Sequence, residues 1–282
     1  MTEPLVRDVS DTARWVAWYR AHETERPDAL FRDPYAKTLA GERGARIAAA
    51  MQTRGRNEWV FTARTLLFDR MISDAIHAGA DTILNLAAGL DARPYRLNLP
   101  PDLRWIEVDY PHMIDFKEQH LADAQPHCQL ERVRMDLENV SERNALFDRI
   151  ARSSNYTMIV TEGLLPYFTP AAVDSLARDL GKYESFRLWV TDLMSPRIVQ
   201  MIGKSYNKHL TSAQFKFAPA NGVAFFEPAG WHAKEVVSFM KTAAELKRVP
   251  LMMRFFARIP INATKPGRQP WSAAVLLEST KG

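Results

Sequence analysis

The chain has 282 residues, 46% of them hydrophobic and 25% charged, which suits a soluble globular protein built as one large α/β domain or two small ones. Its apolar runs are too short to span a bilayer. The opening octapeptide Met1–Asp8 lacks the apolar stretch and small-residue cleavage site of a secretory leader. A cytoplasmic protein without membrane contact is therefore expected. Net charge is +4, but Lys and Arg are scattered without a dense basic run or interleaved aromatics, so a nucleic-acid partner is not expected. The single cysteine, Cys128, excludes an internal disulfide. It stands beside His127, yet zinc wants four ligands, so Cys128 reads as an ordinary thiol and no metal is expected.

Helical patterns open the chain. Ser10-Asp11-Thr12 offers an N-cap, and Ala13, Val16, Ala17 and Arg20 follow at helical spacing. A second helix is expected from near Pro34 to Gly41 or Gly44. Residues 57–78 read as one long helix with Val60, Ala63, Leu67, Met71 and Ile76 on one face, stopped by Ala78-Gly79-Ala80. Strands and helices then alternate. Strands are predicted over 82–86, 104–109, 129–135, 156–161 and 186–191, with amphipathic helices over 111–123, 141–152 and 170–183. That alternation argues for a parallel sheet with helices on both faces.

Residues 193–230 break the pattern, with Pro196, Pro219 and Pro228 among many Phe and Met. They read as an insertion over the mouth of the sheet, a plain structural connection being the alternative. A helix over 231–243, a strand over 246–252 and a last strand over 272–278 complete the chain, the last two as an antiparallel hairpin. One domain results: a helical cap (1–56), a core (57–192 and 231–282) and an inserted lid (193–230).

In doubly wound sheets, ligands lie beyond the carboxyl ends of the strands, where strand order reverses. The first strand ends in Ala87-Ala88-Gly89, whose small side chains let a ligand approach backbone and whose glycine tolerates positive φ. Asp109 ends the second strand twenty residues on, a spacing typical of an acid that accepts hydrogen bonds from a ribose diol; such an acid is also a common helix cap. The fingerprint G-x-G-x-x-G, which brings amides to a pyrophosphate, is absent. S-adenosylmethionine (SAM) carries no phosphate and fits the turn better than a dinucleotide does. Asp136-Leu137 after the third strand suits an adenine amino group and ring, or else a solvated turn. Glu162 stands at the end of the fourth strand. Arg64 lies on the long helix, facing either the crevice or solvent.

These residues fall within a run, Asn85-Leu-Ala-Ala-Gly-Leu-Asp-Ala-Arg-Pro-Tyr-Arg-Leu97, that resembles the signature of the leucine carboxyl methyltransferase family. Similar patterns stand at Thr12-Ala13, Arg20-Ala21, Leu30–Ala36, Ala63-Arg64-Thr65 with Asp69, Trp105–Pro111 with Phe116-Lys117, and Thr161–Tyr167, so the resemblance covers residues 12 to about 170. It implies a Rossmann-like class I SAM-dependent methyltransferase: a seven-stranded, mostly parallel sheet with the last strand antiparallel, a helical cap, and an insertion after strand five. It also implies roles. Arg64 would hold the methionine carboxylate of SAM, and Ala87, Ala88 and Gly89 would line its methionine portion. Asp109, with Tyr110 beside it, would bind the ribose; Asp136 and Leu137 the adenine end; and Glu162 would face the amino-acid part. Arg20 is the nearest basic counterpart of a lysine in the eukaryotic members. Many members have Gly at the position of Ala87, where alanine fits if φ is negative.

Methyl transfer from a sulfonium is a direct displacement that leaves S-adenosylhomocysteine. A carboxylate acceptor, with a reference pKa of about 4, is already a nucleophile and needs alignment and desolvation rather than a base. A phenol or alcohol would need one, and the nearest histidine, His112, reads as a helix-start residue. A small-molecule carboxylate is thus favoured as acceptor, with a hydroxyl or phenol as the alternative. A nucleotide-dependent oxidoreductase and a non-catalytic SAM-binding protein are the readings outside this class. Tyr19, Tyr167 and Arg197 are candidate substrate contacts. Phe215, Phe217, Phe225 and Phe226 are expected to form an apolar acceptor pocket.

Overall fold

Seven strands form one sheet in the computed structural model, which describes residues 9–51, 58–206, 214–264 and 269–281. The octapeptide at the amino end and residues 207–213 of the predicted lid lie outside the described residues. Two helices, α1 (Val9–Thr24) and α2 (Ala36–Met51), precede the long α3 (Glu58–His77). There follow β1 (Thr82–Leu86), the short α4 (Arg93–Arg96), β2 (Arg104–Asp109), α5 (Pro111–His120), β3 (Gln129–Arg134), α6 (Val140–Ala151) and β4 (Thr157–Thr161). Then come α7 (Pro170–Leu180), β5 (Phe186–Met194), α8 (Pro196–Tyr206), a 3₁₀ helix over Gly222–Ala229, β6 (Trp231–Ser238), α9 (Phe239–Glu245), α10 (Leu251–Phe256) and β7 (Ser272–Ser279).

The strand order is β3-β2-β1-β4-β5-β7-β6. β1 pairs in parallel with β2 on one side and β4 on the other, so the order reverses there and opens a crevice at the carboxyl ends of these strands. β7 runs antiparallel between β5 and β6. Every residue of β1 and β4 is buried, as expected of strands covered on both faces. One face of the sheet packs α6 and α7 through Phe147, Ile150, Leu176 and Leu180. The other packs α3 and α9 through Leu67, Phe68, Ile72 and Phe239. Local chemistry fixes where the helices start. Asn139 and Thr169 accept the amides of Glu142 and Ala172 at the starts of α6 and α7. The fully buried Lys117 of α5 donates to Glu107 of β2 at 2.6 Å, anchoring that helix to the sheet.

Several predicted boundaries are corrected. Ser10-Asp11-Thr12 does not precede α1 but lies in its first turn, where Asp11 pairs with Arg43 of α2. α2 continues past Gly41, which takes φ +58° and kinks the helix instead of ending it. Residues 231–238 are strand, not helix. β6 is an edge strand whose exposed His232 and Lys234 mimic an amphipathic helix, and Lys234 pairs across to Glu278 of β7. Residues 246–252 are not a strand: Lys247 turns at φ +58° and Pro250 opens α10. A short apolar run does not distinguish strand from helix. The hairpin expected between 246–252 and 272–278 therefore does not form: β7 pairs antiparallel with β6 instead, and α9 and α10 lie between the two in sequence. Among the described residues no helix is long and apolar enough to cross a membrane.

Candidate active site

The turn after β1 runs against the amino-terminal cap. Ala87 takes φ +54° and Gly89 φ +49°. Alanine there is a correction to the negative φ expected, and it holds a conformation that L-residues avoid. A Cβ built on Gly89 would stand 3.4 Å from Ala13 of α1, so glycine keeps the gap between turn and cap open. The Gly89 amide donates to Asp109 Oδ2 at 2.6 Å and the Tyr110 amide to Oδ1 at 2.7 Å. Burial raises the Asp109 carboxyl, while these two amides work in the opposite direction.

The second wall of the crevice follows β4. Glu162, its side chain largely buried, lies between two guanidinium groups: Arg64 Nε lies 3.0 Å from its Oε1, and Arg93 Nη2 lies 2.8 Å from its Oε2. Burial would raise this carboxyl, but Arg93 and Arg64 outweigh it and hold Glu162 below the usual range. Gly163 takes φ +70°, and a Cβ there would meet the Arg64 guanidinium at 3.5 Å. Its amide donates to Asp192 Oδ1 at 2.6 Å, and Asp192 Oδ2 lies 3.6 Å from Arg64 Nη1. Burial raises the Asp192 carboxyl. The Arg64 Nε–H is buried and makes no hydrogen bond, because Glu162 lies off its line.

Arg93 ties these pieces together. It donates to Asp69 of α3 at 2.6 Å, to Asp91 of the turn at 2.7 Å and to Glu162. Arg96 grips both oxygens of Asp69 at 2.7 Å. Arg20 of the cap donates to Asp33 and to the Leu90 carbonyl. The cluster is nearly neutral, and its partners come from the cap, α3, the β1 turn and β4.

Most of these groups, though not Asp33 or Asp69, border one cavity of about 790 Å³, within the size range of small-molecule sites. Arg64, Ala87, Ala88, Gly89, Asp109, Tyr110, Glu162 and Tyr167 all line it. Asp136 and Leu137 do not: Leu137 is buried in the core, and Asp136 is exposed and accepts the Glu138 amide. Tyr19 is also outside, stacked on Phe61 at 4.8 Å within the cap, and Arg197 is exposed on α8. Of the four phenylalanines expected in the pocket, Phe215 lines it, stacked on Tyr167. Phe217, Phe225 and Phe226 are packed instead with the core around Trp189. The 193–230 segment still faces the cavity through Met194, Ile198, Met201 and Ile202. Sequence reasoning missed Asp192, Asp91 and Arg93 as site residues. The signal for Asp192 was an acid closing an apolar strand, the pattern already used for Asp109.

A sheet ordered 3-2-1-4-5-7-6 with only β7 reversed, and a ligand-sized crevice over β1 and β4, defines the class I SAM-dependent methyltransferase fold. Solved structures agree on the fold. A DUF574-family protein from Streptomyces avermitilis superposes with a TM-score of 0.60 at 14% identity, covering 95% of this chain and 97% of that one. A protein from Thermobifida fusca, described as a "putative methyltransferase", gives 0.54 at 16% identity, covering 87% and 92%. The chain belongs to the leucine carboxyl methyltransferase family, whose model matches residues 13–181. Among its relatives, a protein of Mycobacteroides abscessus is 35% identical over 197 residues and one of Rhodococcus jostii 36% over 192. Both are named "putative S-adenosyl-L-methionine-dependent methyltransferase". Each alignment takes in 64% of this chain, and the chain spans 63% and 64% of the two relatives' own lengths.

Proposed function

We propose that the protein is a SAM-dependent O-methyltransferase whose acceptor is a carboxylate on an apolar small molecule. The observation that carries this reading is the paired-charge cradle beside the β1 turn. A zwitterionic amino acid needs a cation and an anion side by side. Arg64 offers the first, and Glu162 with Asp192 the second, and all three line the cavity. Asp109 keeps lone pairs for hydroxyl donors beyond the two amides it already accepts. The gap above Gly89, which a side chain would narrow, also suits a ligand lying on backbone.

Bound SAM supplies a methyl carbon already activated by positive sulfur. The chain's own part is to align the acceptor and strip water from it. Trp15, Phe61, Tyr167, Phe215 and Trp271 give the cavity apolar walls, which suit an apolar acceptor body. Among the described residues no histidine lines the cavity, which supports an acceptor that needs no base. A hydroxyl acceptor is the second reading. Asp192 favours it, because burial moves this carboxyl toward the range of a working base.

Native mass spectrometry of the purified protein with SAM, followed by incubation with panels of apolar carboxylic acids and phenols, tests the proposal. The expected result is a SAM adduct and release of S-adenosylhomocysteine with acids. Turnover of phenols alone would establish the second reading. Binding of a nicotinamide dinucleotide in place of SAM, or SAM binding with no turnover on any acceptor, would overturn both.

A further inference from the structure

Seven large hydrophobic side chains are exposed among the described residues, and four of them fall within nine positions: Leu251 (73%), Phe255 (71%), Phe256 (60%) and Ile259 (56%). A fifth, Met201 of α8, lines the same cavity as Phe256 and Ile259. Scattered single exposures are ordinary, but a concentrated patch marks a contact surface. This patch continues into the protein, because Met253, Phe256, Ala257 and Ile259 are also walls of the cavity. An apolar path therefore leads from the exposed rim of α10 to the candidate active site.

The sequence that carries the patch is one-sided in charge, although Arg248 within it is paired with Glu23 and Asp28. Between Asp192 and Glu227, and again between Glu245 and Glu278, the sequence contains ten Lys and Arg and no Asp or Glu. The rest of the chain is left with 27 basic against 33 acidic residues. These two acid-free stretches hold α8 and α10, which wall the cavity. Within the patch, the Arg258 guanidinium lies 5.8 Å from the Phe255 ring centre.

We propose that the α10 rim, Leu251–Ile259, docks on an anionic lipid surface. Exposed Phe and Leu interleaved with Arg are what an interfacial segment uses, the rings entering the acyl boundary and the guanidinium groups meeting headgroup phosphates. A second copy of this chain fits poorly, since a two-fold contact would set basic rim against basic rim. Continuity with the cavity gives the docking a use: an apolar molecule dissolved in the bilayer enters without crossing water. The inference concerns a surface and does not depend on which reaction the cavity hosts.

Vesicle flotation tests it with the full chain. Vesicles of phosphatidylcholine with ~30% phosphatidylserine are compared with phosphatidylcholine alone, at low salt and at ~0.5 M salt. Binding is expected on the anionic vesicles and at least five-fold weaker on neutral ones or at high salt. The double variant Leu251→Ser/Phe255→Ser changes two exposed side chains that do not line the cavity, and Arg258→Glu reverses an exposed charge. Each is expected to lower binding at least five-fold while the circular dichroism melt stays unchanged. Flotation with no preference for anionic lipid, or binding that survives both variants, would overturn the proposal. So would a dimer in sedimentation that the double variant dissolves while wild type ignores vesicles.

Discussion

Two residues at the carboxyl ends of β1 and β2 carry contrasting demands. Ala87 sits at φ +54°, where an L-residue costs roughly 1–2 kcal/mol. Glycine would relieve that strain but adds about 0.4–1 kcal/mol of unfolded-state entropy. Ala87→Gly is therefore expected to raise the thermal midpoint by ~1–4 °C in a melt. A fall of several degrees would show that the Ala87 methyl, which packs against the main core, outweighs the strain. Asp109 is asked to accept hydroxyl donors while already accepting two amides. Asp109→Ala should weaken SAM binding by roughly 1.5–3 kcal/mol in calorimetry, the scale of a hydrogen bond to a charged group. The pH sign follows from burial. The Asp109 carboxyl is raised, so it begins to protonate above the pH at which a free aspartate does. SAM affinity in wild type should fall as pH drops into that window, and the variant should lose that dependence. Unchanged affinity would reduce Asp109 to a brace for Gly89 and Tyr110.

Arg93 joins elements that share no hydrogen-bonded strand edge: α3 through Asp69, the β1 turn through Asp91 and the end of β4 through Glu162. Removing it takes a partner from Asp69, Asp91 and Glu162, whose side chains are only 11%, 11% and 14% exposed. Arg93→Met is expected to cost about 3–5 kcal/mol at neutral pH, the scale of a broken buried ion pair. Burial pushes Asp91 and Glu162 up, yet the arginines win and both end below their ordinary values. A depressed acid contributes stability above its unfolded pKa, about 4, and loses it as pH falls through the folded value. Wild type should therefore melt at lower temperature as pH falls below ~4. The gap to the variant should close over the same range, because protonation removes the repulsion Arg93 was countering. A gap that stays constant to pH 2.5 would deny the cluster this role. The same elements show what was readable in advance. β1, β2, β4 and α3 were legible because buried parallel strands are continuous apolar runs and α3 repeats at helical period. β6 was not, since an edge strand facing water carries helix-like polarity. Nor were the partners of Arg93, because a salt-bridge cluster drawn from α3, a turn and β4 leaves no spacing in one dimension. The phenylalanines of the 193–230 segment misled for a related reason: composition says that they are buried, not whether they face a ligand or Trp189.

The single thiol reports how the whole molecule opens. Cys128 lies just before β3, buried in the core cluster that joins α3 to the sheet. Burial pushes its thiol up to about 12. Only the thiolate attacks a disulfide reagent, so a shift from an ordinary value near 8.5 lowers the reactive fraction at pH 8 by about three orders of magnitude, before access is counted. Native protein should therefore react with a disulfide reagent at least ~100-fold more slowly than the same chain unfolded in urea. The route to reaction then tells which part of the fold yields first. If Cys128 is reached only when the sheet and α3 separate, labelling should rise with urea in step with loss of far-ultraviolet circular dichroism. A ligand that binds the folded crevice should slow it by the factor expected from its affinity. Labelling that rises well before the circular dichroism signal falls would instead place a local opening at the β3 edge. The crevice would then keep its shape while the outermost parallel strand loosens, and a crevice ligand would leave the labelling rate unchanged.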